Sequence, residues 1–195
     1  MITREEDELT EIGLKYKTDK ADPHYFTAFY DRHFKSLREQ VTNVLEIGVY
    51  EGGSLRMWQD YFANASIFGI DVREDYLFDD ERIKTFLVGQ EDYEKIHETF
   101  TDVKFDIIVD DGNHLPHAQV DTFLNIKDMV KSGGFYVVED LHTSYLPEFA
   151  NQGVNADQFF RSLSLEEYSV DFVDFYSNLD RIHGVECITG LIKFK

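Results

Sequence analysis

The sequence of 195 residues contains little cysteine, little proline and no long apolar run. Its one cysteine, Cys187, excludes an internal disulfide and agrees with a reducing compartment. Three prolines and no Pro/Gly/Ser-rich tract provide no obvious linker. No stretch approaches the roughly 20 apolar residues of a membrane span, and the acidic start, residues 1–8, is unlike a secretory signal. We therefore expect a soluble cytoplasmic protein without a membrane partner.

Basic residues are also scarce. The chain has 19 Lys and Arg against 38 Asp and Glu, a net charge of −19. Such a surface repels nucleic-acid phosphates and anionic lipid headgroups, so we expect neither partner. Most of the acids are expected to be solvated, but a few can serve as metal ligands.

Short β-branched runs alternate with longer amphipathic stretches, which is typical of βα units. The pattern predicts an α/β fold: a Rossmann-like, doubly wound, mostly parallel seven-stranded sheet with a C-terminal antiparallel strand pair. Residues 1–40 are expected to form a helical lead segment of the same domain, which continues over 41–195. The helix after strand four is expected to end at Gly133 and Gly134, and the last two strands to join at a turn over 180–184. The predicted strands are 44–49, 67–71, 83–88, 105–110, 135–139, 168–176 and 186–194.

A glycine motif follows the first predicted strand. Glu46, Gly48 and the pair Gly52-Gly53 precede a helix, and Asp71 ends the next strand, where a carboxylate can bind ribose hydroxyls. The spacing does not match the dinucleotide fingerprint G-x-G-x-x-G, and Glu51 would oppose a pyrophosphate. The positively charged sulfonium of S-adenosylmethionine suits this acidic loop better. The alternative is an ordinary turn that contains glycines.

Acidic residues also follow the fourth and fifth predicted strands. Asp110-Asp111-Gly-Asn-His114 ends one strand and Glu139-Asp140 the next, so we expect these side chains to converge at one edge of the sheet. Converging carboxylates repel each other unless a cation is present, and oxygen ligands suit Mg²⁺. The alternative for the first motif is a polar turn with a helix-capping residue. With no cysteine cluster, a structural zinc site is not expected.

These motifs, taken in order, resemble those of class I methyltransferases. The similarity lies in Leu45-Glu-Ile-Gly48, in Gly52-Gly-Ser-Leu-Arg-Met-Trp58, in the Asp110–His114 segment and in residues 133–145. It is closer to the metal-dependent sugar O-methyltransferases of macrolide biosynthesis, the mycinamicin and demethylmacrocin type. Thr18-Asp-Lys20 and His24-Tyr25-Phe26 also resemble that family's entry segment.

The resemblance implies an S-adenosylmethionine-dependent O-methyltransferase with Mg²⁺ or another divalent cation, a glycoside or other small-molecule acceptor, and a possible homo-oligomer. The sequence departs from the family in two ways. The macrolide enzymes carry an additional N-terminal domain, and their Gly-Asp-Gln corresponds here to Val88-Gly89-Gln90. The implied site comprises Asp111, Glu139 and Asp140 as metal ligands, His114 as general base, and Glu46, Gly48, Ser54, Asp71, Gln90 and Asp110 around the cofactor.

Three other functions stay open at this point. A catechol-type O-methyltransferase would share metal-held neighbouring oxygens. An NAD-dependent oxidoreductase would share the sheet and Asp71, although the fingerprint and an obvious Tyr/Lys pair are lacking. A noncatalytic scaffold would keep the fold without turnover. The acceptor is equally open among a secondary-metabolite glycoside, a lipid-linked sugar and a polysaccharide precursor.

Overall fold

The computed structural model describes residues 7–149, 153–175 and 187–195. Within these ranges the chain forms helices on both faces of one sheet. The helices are α1 (Glu8–Tyr16), α2 (Thr27–Phe34), α3 (Gly53–Tyr61), α4 (Tyr93–Thr99), α5 (Pro116–Ile126) and α6 (Ala156–Arg161). The strands are β1 (Asn43–Ile47), β2 (Ser66–Asp71), β3 (Ile83–Leu87), β4 (Phe105–Asp110), β5 (Val130–Val138), β6 (Tyr168–Phe175) and β7 (Cys187–Phe194).

The seven strands lie in the order β3-β2-β1-β4-β5-β7-β6. Strands β1 to β5 pair in parallel, and β7 is antiparallel to both of its neighbours, β5 and β6. This arrangement confirms the predicted fold class. The strand order reverses between β1 and β4, and in sheets of this kind ligands bind at the carboxyl ends of the strands beside that point.

Alternate residues of the strands enter two separate cores. Val44 of β1 and Ile107 of β4 belong to the core beneath α1, α2 and α3, whereas Leu45 and Ile108 belong to the core beneath α4, α5 and α6. Because successive strand residues point to opposite faces, a central strand buried on both sides must be apolar almost throughout. This requirement makes the buried acids at the strand ends conspicuous.

The helices of the lead segment pack on the sheet through α3. Asp7 caps α1 by accepting a hydrogen bond from the Thr10 N–H at 2.8 Å, and Leu9 is fully buried. Phe26, Phe29 and the following aromatic residues of α2 join the same core as Trp58. Residues far from the sheet in sequence are thereby brought against its carboxyl edge. The domain boundary at residue 40 stays a prediction.

The helix after β4 ends earlier than predicted. α5 stops at Ile126, a 3₁₀ turn covers Lys127–Met129, and the glycine pair lies inside β5. Pairing with β4 jumps from Val130 to Phe135, and Gly133, with φ of +79°, makes the irregularity possible. The glycines therefore form an irregularity in the strand and do not cap the helix.

Two further expectations meet the limits of the described ranges. The predicted turn over 180–184, and the strand ends at residues 176 and 186, lie outside the described residues. Among the residues that the structure does describe, every helix is too short or too polar to cross a bilayer.

Asp106 ties the amino ends of three strands together. Its Oδ2 atom accepts hydrogen bonds from the Thr42 and Asn43 N–H groups at 2.8 and 2.9 Å and from Lys131 Nζ at 2.8 Å. Burial alone would raise the pKa of Asp106, but Lys131 and the backbone donors together hold it below its usual value. The charged carboxylate therefore stabilises the joint between β1, β4 and β5.

We predict that Asp106→Asn lowers the free energy of unfolding by about 1–2 kcal/mol at neutral pH, because the charge-assisted hydrogen bonds are weakened. Since the folded-state pKa is depressed, this contribution is full above the ordinary carboxyl pKa of about 4 and is lost as the pH falls below it. Urea unfolding at pH 7 and pH 3.5 measures it.

Asp121→Asn, an exposed change of the same chemistry on α5, is the control and should be nearly neutral. An Asp106→Asn variant with wild-type stability at pH 7, or a deficit that grows on acidification, would contradict the assignment.

Candidate functional site

The backbone brings the ends of β1, β4 and β5 side by side. The Asp111 N–H donates to the Ile47 carbonyl at 3.0 Å, and the Glu139 N–H donates to the Asp110 carbonyl at 3.0 Å. The ladder thus continues one residue past β4 and β5. The predicted convergence of the acids at this edge follows directly from this register.

A buried lysine lies among these acids. Lys20, from the segment between α1 and α2, has no exposed surface, and its Nζ contacts Asp111. The same Nζ lies 3.0 Å from Glu139 Oε2 and 3.5 Å from Glu46 Oε1. Burial opposes the charged form, but the three carboxylates together raise the pKa of Lys20 well above its usual value. Burial raises the pKa of Asp111 and of Glu139, while Lys20 opposes both shifts.

Neutral donors satisfy the remaining oxygens of the two innermost acids. The Tyr30 hydroxyl of α2 donates to Glu139 Oε1 at 2.5 Å. Ser54 Oγ donates to Glu46 Oε1 at 2.5 Å, and the Trp58 indole N–H donates to Glu46 Oε2 at 2.6 Å. Glu46 is therefore held inside the fold by α3 and by Lys20.

A second group of side chains lies on the outer side of this cluster. One ligand atom each from Asp111, His114 and Asp140 can be chosen so that all lie within 4.8 Å of one another. His114 Nδ1 is 3.5 Å from Asp140 Oδ2. Both His114 and Asp140 have φ of +56°, a left-handed backbone conformation that is uncommon outside glycine.

The donor set fits a divalent cation. His114 Nδ1 and Asp140 Oδ1 are buried atoms for which the described part of the chain supplies no hydrogen-bond partner. Buried polar atoms are nearly always satisfied, and carboxylate oxygens such as those of Asp111 and Asp140 are ligands that Mg²⁺ and Mn²⁺ accept. These two acids could hold one such ion between the ends of β4 and β5, with His114 beside it.

A cavity of about 290 Å³ opens next to this group, near the lower end of the usual range for ligand pockets, roughly 300–1,000 Å³. Its floor includes Gly48, and its wall includes Gly112 and Asn113, the two residues between Asp111 and His114. The other lining residues are Ile47, Ile70, Asp71, Val72, Val88, Gly89, Gln90, Glu91 and Asp92.

Asp71 lies on this cavity at the end of β2. Its Oδ2 accepts hydrogen bonds from the Val49 and Tyr50 N–H groups at 2.8 and 3.2 Å, and its Oδ1 accepts one from the Arg73 N–H at 2.9 Å. These bonds fix the glycine loop to the second strand. A carboxylate offers about four acceptor positions, so Asp71 keeps capacity for one donor from a ligand.

Gln90 is held at the cavity by a residue beneath it. Its Nε2 donates to Asp110 Oδ1 at 2.8 Å, and its Oε1 accepts from the Asn113 N–H at 2.9 Å. The Tyr136 hydroxyl donates to the other Asp110 oxygen at 2.9 Å. Asp110 is 1% exposed, and burial raises its pKa to about 7. Asp110 therefore acts through Gln90 and does not line the cavity itself.

Comparison with known proteins gives the family to which this fold belongs. The model of a methyltransferase domain family matches residues 45–141, from β1 through β5. The chain is 36% identical to mycinamicin VI 2''-O-methyltransferase of Micromonospora griseorubida over 175 residues, which cover 85% of this chain and 44% of that protein. It is 35% identical to demethylmacrocin O-methyltransferase of Streptomyces fradiae over 173 residues, 84% of this chain and 44% of that protein.

A solved structure gives the same result. The MycE methyltransferase of the mycinamycin biosynthetic pathway, in complex with Mg, SAH and mycinamycin VI, superposes with a TM-score of 0.80 at 29% identity, covering 97% of this chain and 55% of that one. The chain belongs to the methyltransferase domain family whose model it matches. It spans less than half the length of the curated relatives it matches.

The residues proposed from sequence fall in four places. Gly48, Asp71 and Gln90 line the cavity, whereas Glu46, Ser54 and Asp110 are buried and do not line it. Asp111 and Asp140 form the cation group beside the cavity, next to His114, and Glu139 is on the inner side, facing Lys20 and Tyr30.

Sequence reasoning assigned no role to Lys20 or Tyr30. The Thr18-Asp-Lys20 motif was a visible signal, because a lysine beside a family motif in a strongly acidic chain is a natural partner for acids at the site. Tyr30 has no comparable signal, since its helical spacing alone is typical of an ordinary core residue.

We predict that Gly48→Ala lowers the stability of the methyltransferase domain by about 1–3 kcal/mol. Gly48 has φ of +95°, and an added Cβ would lie 2.2 Å from the Asp111 carbonyl oxygen, which is backbone and cannot rotate away. Thermal and urea unfolding without ligand measure the loss.

Gly89→Ala is the matched control in the same cavity, because its Cβ would meet only Val72 Cγ1 at 3.5 Å. Equal stability of the two variants would show that the close approach of β1 and β4 is not required.

Proposed function

We propose that this chain is the catalytic domain of an S-adenosylmethionine-dependent O-methyltransferase. It acts on a sugar-like hydroxyl with the help of a divalent cation, with Mg²⁺ as the first candidate. One observation carries the proposal: the group of Asp111, His114 and Asp140 borders the glycine-lined cavity at the switch point of the sheet. A cofactor site and an acid–base site thus share one loop, residues 111–114.

The cavity residues suit a nucleoside with a positive charge. Asp71 can accept from a ribose hydroxyl, and Gly48 leaves the floor of the cavity open to close approach. The nearby carboxylates favour a cation over a pyrophosphate. When bound, S-adenosylmethionine supplies an electrophilic methyl group on its sulfonium.

The acids of the second group would hold the metal. Asp140 Oδ1 accepts no hydrogen bond from the described residues, although His142 Nδ1 lies 3.7 Å away, and Asp111 reaches the same space. Glu139 has used one acceptor position on each oxygen, for Tyr30 and for Lys20, and keeps others, so it can complete the set of ligands predicted from sequence. When bound, the cation polarises a hydroxyl of the acceptor and fixes its oxygen.

His114 is the proposed general base. Its Nδ1 faces Asp140, which orients the ring, and its Nε2 is then the atom that takes up the proton of the acceptor hydroxyl. The Thr143 hydroxyl donates to the His114 carbonyl at 2.7 Å and so ties the loop after β4 to the turn after β5. This bond fixes the position of the base relative to the metal ligands.

The acceptor class rests on the relatives. Their names specify O-methylation at position 2'' of mycinamicin VI and at position 3' of a rhamnosyl tetracenomycin. We infer a glycoside as the acceptor, with catechols as the nearest chemical alternative because they also present two neighbouring oxygens.

Asp111→Asn and His114→Asn should separate the two roles. We expect Asp111→Asn to lose metal binding and at least about 100-fold in turnover, because one charged ligand is removed. We expect His114→Asn to keep metal affinity within about threefold and to lose about 10²–10⁴-fold in turnover, because only the base is removed. Asparagine tolerates the positive φ at this position.

The assay is methyl transfer from labelled S-adenosylmethionine to a panel containing mycinamicin VI, a rhamnosyl tetracenomycin glycoside and a catechol. His97→Asn, an exposed change on α4, is the control and should keep wild-type turnover. Full activity of Asp111→Asn without metal would refute the role of the cation, and wild-type turnover of His114→Asn would refute the base.

A further inference from the structure

Lys20 is fixed in position by its own backbone. Its carbonyl accepts hydrogen bonds from the Phe26 and Thr27 N–H groups at 2.7 and 3.3 Å, at the start of α2. The side chain has no exposed surface, so its ammonium group cannot turn to solvent. A buried ammonium group is expensive unless it is paired, and Lys20 is paired several times over.

The partners of Lys20 come from three different strands. Glu46 belongs to β1, Asp111 follows β4, and Glu139 follows β5. One positive charge thus faces three carboxylates, with Asp140 next to them. Without Lys20 these mostly buried carboxylates would repel one another.

We propose that Lys20 is a positioning residue that serves as the resident countercation of the acid cluster, linking the carboxyl ends of β1, β4 and β5 and restraining the affinity of the site for divalent metal. This inference rests on the proposed function, whose metal ligands are the same acids. Lys20 contacts neither the cavity nor, in the proposal, the acceptor.

The metal and the Lys20 ammonium group would share one carboxylate, that of Asp111. Asp111 belongs both to the contacts of Lys20 and to the group that could hold a cation. A divalent ion at that group therefore meets the field of the ammonium and competes with it for the Asp111 carboxylate. Removing the ammonium group leaves the negative charge of the acids without its counterion. The variant should therefore bind the metal more tightly and gain more stability from it than the wild type does.

The experiment compares wild type with Lys20→Met by calorimetric titration with Mg²⁺ alone and with Mn²⁺ alone, and by thermal unfolding with and without each ion. We expect the variant to bind metal about tenfold more tightly, a typical coupling between neighbouring sites. We also expect its melting temperature to fall in the metal-free state and to rise with metal by more than that of the wild type.

Lys131→Met is the matched control. It removes a lysine that pairs with Asp106 at the opposite ends of the same strands, so it should lower the melting temperature equally with and without metal and leave metal affinity unchanged. If Lys20→Met does not fold without metal, Lys20→Met/Glu46→Gln replaces it: this variant keeps the net charge of the cluster but removes the ammonium group that competes for Asp111, so its metal affinity should still rise.

A Lys20→Met variant that shows unchanged metal affinity and the same loss of stability with and without metal would overturn the inference. Failure of the proposed function would give a different result from failure of this inference. If only the Lys20 variants bind metal, Lys20 is the countercation and the wild-type enzyme does not use metal. If metal binds normally to the wild type and to Lys20→Met alike, the inference on Lys20 fails and the proposed function stands.

Discussion

The organisation of this domain depends on one constraint: several carboxylates are buried where three parallel strands end. β1, β4 and β5 each contribute an acid there, in Glu46, Asp111 and Glu139, and charges cannot be buried in a protein without partners. The lead segment meets this requirement with Lys20 and Tyr30, and α3 with Ser54 and Trp58. Residues outside the sheet are thereby required for its functional edge.

The opposite edge solves a similar problem in a simpler way. At the amino ends of the same three strands, Asp106 pairs with Lys131 and with two backbone donors, and the group is partly exposed. That joint stabilises the sheet. At the carboxyl edge, by contrast, His114 and Asp140 keep buried atoms without a hydrogen bond among the described residues, as expected where a ligand is to be accommodated.

Much of the fold was predictable, because short β-branched runs that alternate with longer amphipathic stretches leave few topologies open. The acids after β4 and β5 had to meet once those two strands were neighbours in the sheet. Details set by tertiary contacts were not predictable. Gly133 belongs to an irregular strand and not to a helix end, since the pairing of β5 with β4 decides its conformation. Asp110 and Asp111 are adjacent in sequence, yet one supports Gln90 and the other faces the cation group, and only the alternation of side chains across the strand end separates them.

The most direct test of the account is a calorimetric titration of the wild-type protein with S-adenosylmethionine, with and without Mg²⁺, and with NAD for comparison. We predict saturable binding of S-adenosylmethionine near one site per chain and no binding of NAD, because the glycine loop and its acids suit a positive sulfonium and oppose a pyrophosphate. Binding of NAD, or no binding of S-adenosylmethionine in either condition, would contradict it.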